Sequence, residues 1–132
     1  MKEMATRTVR TIIDKSNREK SNLVLGETIN LPGRWSGYPP HYHPQPEFYF
    51  YRFNPEDGFG YAELGDEVYK VRNNDTMLMR GGITHPQVSA PGYAMYYLWA
   101  IRHLEDMPYI GPTFLPDYLW VTNKDIPIWP DK

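Results

Sequence analysis

The sequence predicts an all-β fold, a sandwich or a barrel, and three observations predict it. Turn signals recur along the chain at Asn54-Pro55-Glu56-Asp57-Gly58, Gly65-Asp66, Asn73-Asn74-Asp75, Gly81-Gly82 and Pro91-Gly92, close to the roughly 8–12-residue beat of small β domains. The runs between them are mostly rich in β-branched or aromatic residues, which favour strands. Proline occurs 13 times in 132 residues, near twice the usual share of about 5%. It disfavours long helices because it lacks an amide donor and clashes inside a helical turn.

In chain order, the first run, "TRTVRTII", is nearly all β-branched, and "NLVLGETI" follows a polar break. "EFYFYRF" is an alternating aromatic strand. "GFGYAEL" and "EVYKVR" flank the Gly65-Asp66 turn. "TMLM" follows Asn73–Asp75, "HPQVS" follows Gly81-Gly82, and "YAMYYLWAI" follows Pro91-Gly92. There is no helical period, internal repeat or linker, so residues 1–132 are expected to form one domain around a single core. The first eight residues are expected to be mobile or to exchange with a partner chain. The tail, residues 108–132, carries Pro108, Pro112, Pro116, Pro127 and Pro130, and is expected to be extended and to wrap over the strands.

Composition excludes some functions. A net charge of −2 argues against a nucleic-acid or membrane binder, which ordinarily needs a basic face. No run of about 18 apolar residues marks a membrane span. The start, "MKEMATRTVRTIIDKS", has no apolar signal core and reads as mature protein, so a cytoplasmic location is the default. Cysteine is absent, which removes disulfide and thiolate chemistry. The 11 tyrosines and 4 tryptophans suit strands and polar pockets.

The stretch "YPPHYHPQPEFYF", residues 38–50, holds two of the four histidines, four prolines and a glutamate. His41 and His43 are two apart, so on an extended chain they point to one side and can converge on a cation. Glu47 follows at even spacing, with a bulge expected before it because Pro44 and Pro46 interrupt regular pairing. His85, after the tight "RGGITH" turn, closes the site if the intervening strands fold back. Three imidazoles and a carboxylate suit a divalent ion and leave zinc, iron, manganese and nickel open. Pro39, Pro40, Pro44 and Pro46 restrict the chain to extended conformers and lower the entropy cost of holding the ligands. A lone His-x-His is ordinarily surface decoration; the glutamate, the aromatic strand and "ITHP" outweigh that reading. His103, in "IRHLEDMP", reads as exposed or structural. Pro39-Pro40-His41-Tyr42 also matches the Pro-Pro-x-Tyr pattern that WW domains bind, but such ligands lie in flexible polyproline segments and this one runs into an apolar strand.

"GRWSGYPPHYH…EFYFYRFNPEDGFG" together with "THPQVSAPGYAMYYLW" resembles the 5-deoxyglucuronate isomerase family of inositol catabolism, and is similar to the related 5-keto-4-deoxyuronate isomerases. The resemblance implies a single cupin domain, a double-stranded β-helix or jelly-roll-like barrel. It also departs from the family in places. Asn74-Asp75 stands where cupins ordinarily have Gly-Asp, the second motif lacks its proline, and the chain resembles the C-terminal metal-binding domain alone. The resemblance assigns the metal to His41, His43, Glu47 and His85, with zinc the ion implied. It also implies a metal-dependent aldose–ketose isomerase acting on a small sugar acid, with a homodimer standing in for the missing half.

Such a reaction moves a proton between adjacent carbons and needs groups beyond the metal. Alternation from Glu47 places Tyr49 and Tyr51 on the metal face, with Phe48, Phe50 and Arg52 opposite. Alternation from His85 adds Gln87 and Ser89, and Met95, Tyr97 and Trp99 share one face. Tyr49, Tyr51 and Tyr97 are the candidate catalytic groups, against the plain alternative that these rings fill the core. A substrate carboxylate needs a cation, for which Arg52, Lys70, Arg72 and Arg80 are available without a favourite. The competing functions are another metal-cupin enzyme, such as a dioxygenase, and a non-catalytic cupin that binds a sugar acid.

Overall fold

The computed structural model describes residues 3–130. Among them are eleven strands: β1 (Arg7–Ile13), β2 (Leu23–Asn30), β3 (Trp35–Ser36), β4 (His41–Tyr42), β5 (Glu47–Asn54), β6 (Phe59–Leu64), β7 (Glu67–Arg72), β8 (Thr76–Met79), β9 (Gln87–Ser89), β10 (Ala94–Arg102) and β11 (Thr113–Phe114). A 3-10 helix, Pro116–Thr122, follows. The strands pair antiparallel into a five-stranded sheet ordered β1-β2-β10-β5-β8, a four-stranded sheet ordered β3-β9-β6-β7, and a small β11-β4 pair. The fold is all-β, as the turn spacing predicts. It is built as facing sheets rather than one continuously hydrogen-bonded closed barrel.

Alternation decides which side chains meet. In β5, residues 47, 49, 51 and 53 are buried, while the intervening residues are half-buried or exposed. The β5–β10 register sets Tyr51 opposite Tyr97 and Tyr49 opposite Trp99, so these rings share the inner face. Tyr49, Tyr51, Phe53, Met77, Met79, Met95 and Tyr97 from the large sheet pack with Ala62 and Val71 of the smaller one to form the core. Gly26 of β2 leaves room for Trp99: a Cβ there would stand 2.2 Å from the indole.

Two expectations change. Arg7 and Thr8, grouped with a mobile or exchanged start, pair with Asn30 and Ile29 of β2 in the same chain. Ahead of them the Met4 carbonyl accepts from Trp35 N at 2.9 Å; Met1 and Lys2 lie outside the described residues. The tail is not simply extended, since β11 pairs with β4 and the 3-10 helix follows. The Pro-Pro-x-Tyr segment is part of the fold, as its run into an apolar strand predicts: Pro40 is buried, and Tyr42 pairs with Thr113.

Candidate metal centre

Among the described residues, His43, Glu47 and His85 form the group of potential ligands whose donor atoms all lie within 4.8 Å of one another. His43 Nε2 is 3.0 Å and His85 Nε2 3.3 Å from Glu47 Oε2. All three residues are buried, at 4%, 7% and 3% exposure. His41, the fourth predicted ligand, is not in this group. It stands half-buried at the rim, its ring centroid 5.3 Å from that of His85 and 5.2 Å from Phe114 of β11.

Each imidazole is held in the same way. His41 Nδ1 bonds the Pro39 carbonyl at 3.0 Å, His43 Nδ1 the Gln45 carbonyl at 3.0 Å, and His85 Nδ1 the Ile83 carbonyl at 2.8 Å. A carbonyl only accepts, so every Nδ1 carries the proton and every Nε2 of a neutral ring presents a lone pair. Two lone pairs then face a carboxylate oxygen at hydrogen-bond distance, which repels unless a positive charge lies among them. A proton on an imidazole supplies that charge, and so does a divalent cation. Carbonyl-anchored imidazoles with free Nε2 atoms are the usual setting of histidine metal ligands, so the donor set fits a divalent ion.

The loops explain why these residues converge. Residues 43–46, with Pro44 and Pro46, separate β4 from β5, which lie in different sheets. Gly81 and Gly82 do more than turn the chain before His85: a Cβ on Gly81 would lie 1.8 Å from the Pro44 carbonyl oxygen, Gly82 has φ +83°, and its N–H donates to the His43 carbonyl at 2.7 Å. The glycine pair thus clasps the loop carrying His43. From the other side, Gln45 Nε2 donates to the Met107 carbonyl at 2.9 Å, and Tyr109 N donates to His103 Nδ1 at 2.9 Å. His103 is therefore structural. It pins the segment whose Tyr109 ring lies 5.0 Å from the His43 ring.

Electrostatics follow from burial and pairing. Burial alone raises the Glu47 carboxyl, but hydrogen bonds and charge from His43 and His85 outweigh it and hold its pKa below the usual range. His85 shows the converse: burial disfavours its charge, yet the bond to Glu47 raises its pKa. His41, further from the carboxylate, is governed by burial and then by His85, and is lowered to about 4.

A cavity of about 440 Å³ opens over the cluster, lined by His41, His43, Glu47 and His85 together with Tyr49, Tyr97 and Trp99. The structure separates the three candidate tyrosines. Tyr51 is fully buried, donates to Gln87 Oε1 at 2.5 Å, and is not among the cavity-lining residues. The Tyr97 hydroxyl donates to Ser36 Oγ at 2.8 Å, and burial pushes its pKa up to about 12. Tyr49, whose ring stacks 4.4 Å from Tyr97, lines the cavity; among the described residues its hydroxyl makes no protein hydrogen bond. Of the predicted inward residues, Gln87 and Ser89 are buried but stand outside the cavity lining.

None of the four predicted cations reaches this cavity. Arg52 bonds Asn73 and Glu56, Lys70 sits 4.1 Å over the Phe59 ring, and Arg72 and Arg80 are exposed. Arg7 of β1 lines it instead. Sequence reasoning assigned that segment to a mobile start and so did not weigh it. The signal was available in the alternation of "RTVRT", which places Arg7 and Val9 on one face.

Known proteins resemble this chain in sequence and in fold. The family model of the KduI/IolB family matches residues 2–121. The chain is 31% identical to a Bacillus licheniformis protein named 5-deoxy-glucuronate isomerase, over 89% of this chain and 48% of that protein. It spans about half the length of the curated relatives it matches. Among solved structures, an IolB-like protein from Salmonella typhimurium LT2 superposes with TM-score 0.82 at 25% identity, covering 91% of this chain and 50% of the other. A cupin-like protein from Thermotoga maritima superposes with TM-score 0.68 at 12% identity, covering 92% and 88%, a likeness of fold alone. No helix among the described residues is long and apolar enough to cross a membrane.

Proposed function

The chain belongs to the KduI/IolB family, and from that premise we propose that it is a metal-dependent sugar-acid isomerase acting on 5-deoxyglucuronate or a closely related keto-uronate. The observation that carries the reading is the convergence of His43 and His85 Nε2 on Glu47 in a chain of this family. His43, Glu47 and His85 would hold the ion, with His41 completing the set from the rim; zinc suits these nitrogen and oxygen donors. A bound divalent ion supplies Lewis-acid polarisation of a substrate carbonyl or hydroxyl oxygen.

The protein's own groups shape the rest. Burial raises the Tyr49 hydroxyl well above its ordinary pKa, so it stays protonated and is free to donate a hydrogen bond to a substrate oxygen on which charge grows. Tyr97, also protonated, is already committed to Ser36 and backs Tyr49. Trp99 offers an apolar ring face at the cavity wall. Tyr51 has no place in the chemistry under this reading. A second copy of the chain would supply what the other half supplies in the longer relatives, and a cytoplasmic location belongs to the same reading.

The test is to incubate purified protein with 5-deoxyglucuronate and related keto-uronates, follow product by NMR, and measure metal in the same sample. Ketose formation with about one equivalent of zinc is expected for a one-site centre. Iron with oxygen uptake would favour the dioxygenase alternative, and tight binding without turnover the non-catalytic one. Sedimentation tests the dimer.

A further inference from the structure

We infer that Arg7 is the anion anchor of the cavity, taking the carboxylate of an acid whose other end faces the His43–Glu47–His85 cluster. The identity of that acid as a sugar acid rests on the function proposed above; the placement of the anchor does not. Arg7 is the sole lysine or arginine among the described residues lining the cavity. Its orientation follows from strand register. Arg7 lies opposite Asn30, and Val9 opposite Thr28; Asn30 and Thr28 are buried on the inner face, and directly opposed residues share a face.

Arg7 is also uncommitted in charge. Arg10, on the other face of the same strand, pairs with Glu27 at 2.7 Å. Among the described residues Arg7 has no ion pair, and its Nη1 donates to the neutral Ala5 carbonyl at 2.9 Å. A guanidinium carries five donors in a planar fork that matches a carboxylate, so most of that capacity is left for a ligand. Its charge is felt within the cavity, where it favours ionisation of the Tyr97 hydroxyl against the larger effect of burial. The cavity's one acidic lining group, Glu47, is engaged with two imidazoles and leaves the rim to Arg7. A volume of about 440 Å³ falls within the roughly 300–1,000 Å³ of small-molecule sites.

The experiment compares wild type, Arg7→Gln and Arg7→Lys on 5-deoxyglucuronate and on its neutral amide, with metal content measured for each protein. Arg7→Gln is expected to raise KM for the acid about 10-fold or more, the loss of one charged hydrogen-bonding partner. Its kcat should stay within about threefold, its metal content should not change, and KM for the amide should not move. Arg7→Lys should recover part of the loss. Equal changes for acid and amide, or no change for either, would overturn the anchor. If the wild type turns over neither compound, the isomerase reading fails by itself, and the same proteins are then titrated calorimetrically with D-glucuronate and its amide. A wild-type preference for the anion that Arg7→Gln abolishes supports the anchor. A preference that survives, or a wild type that binds neither, overturns it.

Discussion

The two ends of β5 carry opposite chemistries on one face. At its start, Glu47 and Tyr49 border a cavity, and the carboxylate sits between imidazoles whose far nitrogens are tied to carbonyls. Two residues further on, Tyr51 and Phe53 are sealed in the core, and the Tyr51 hydroxyl is satisfied by Gln87. The pleat is the same, and so is the residue type at 49 and 51. What differs is the surroundings: both halves are paired in the sheet, but the inner face of the first half opens on the cavity, whereas that of the second meets the facing sheet, where Tyr51 bonds Gln87 and packs with Ala62 and Val71. The cavity sits where the facing sheet leaves the inner face uncovered, and identical side chains become cavity-facing or structural according to which side of that boundary they occupy.

Substitutions at the two ends should divide accordingly. Glu47→Ala leaves two buried imidazoles with no carboxylate between them. It should cost about 3–5 kcal/mol in denaturant unfolding of the metal-stripped protein and reduce bound metal to background by elemental analysis. Gly81→Ala drives a methyl into the Pro44 carbonyl. A loss of about 1–3 kcal/mol is expected from the forced shift, together with weaker metal binding because His43 rides on that loop. Tyr51→Phe leaves the Gln87 carbonyl oxygen without its donor, costing about 1–2 kcal/mol with metal content intact. Tyr49→Phe breaks no described protein hydrogen bond; its stability should stay within about 0.5 kcal/mol of wild type while sugar-acid turnover falls. If Tyr49→Phe and Tyr51→Phe gave the same pattern, the contrast between the two ends would be lost.

The smallest effect is in pH. In the metal-free protein His85 has a raised pKa, so its contribution is complete below its unfolded value of about 6.5 and is lost as pH rises through the folded value. His41 is lowered to about 4, so its contribution is present above about 6.5 and is lost as pH falls toward the folded value. Glu47, also lowered, adds a loss on the acid side, below its unfolded value. The cluster's contribution should therefore peak near pH 6.5. Zinc should remove the decline on the alkaline side, because the ion replaces the proton. Urea melts at pH 5, 6.5 and 8, with and without zinc, measure this; an unchanged alkaline slope on adding zinc would contradict it.

Much of this was legible in the residues. Period-two alternation identified the buried set of β5 and the shared face of Met95 and Tyr97, because a pleated strand leaves side chains two directions to point. The side chains of His43, Glu47 and His85 converge as their spacing suggested. His41 shows the limit: two-residue spacing reports the side a group faces but not its depth, and the ladder lets His43 sink while His41 stays at the rim against Phe114. Arg7 was hidden for a different reason. The alternation of "RTVRT" sets Arg7 and Val9 on one face, but that this face turns to the cavity depends on β1 pairing with β2 in a defined register, a non-local event. The function of Gly81 in meeting Pro44 was likewise invisible, since it depends on two loops more than thirty residues apart coming into contact.

The hydrogen bond from the Tyr109 amide to the His103 ring makes one solvent-exchangeable deuteron a reporter on the whole vestibule. Tyr109 lies in a stretch without a regular ladder, where neighbouring amides should swap isotope quickly. Its own should swap slowly for as long as the wall beside His43 stays shut, so a single resonance can time how often the enclosure breathes.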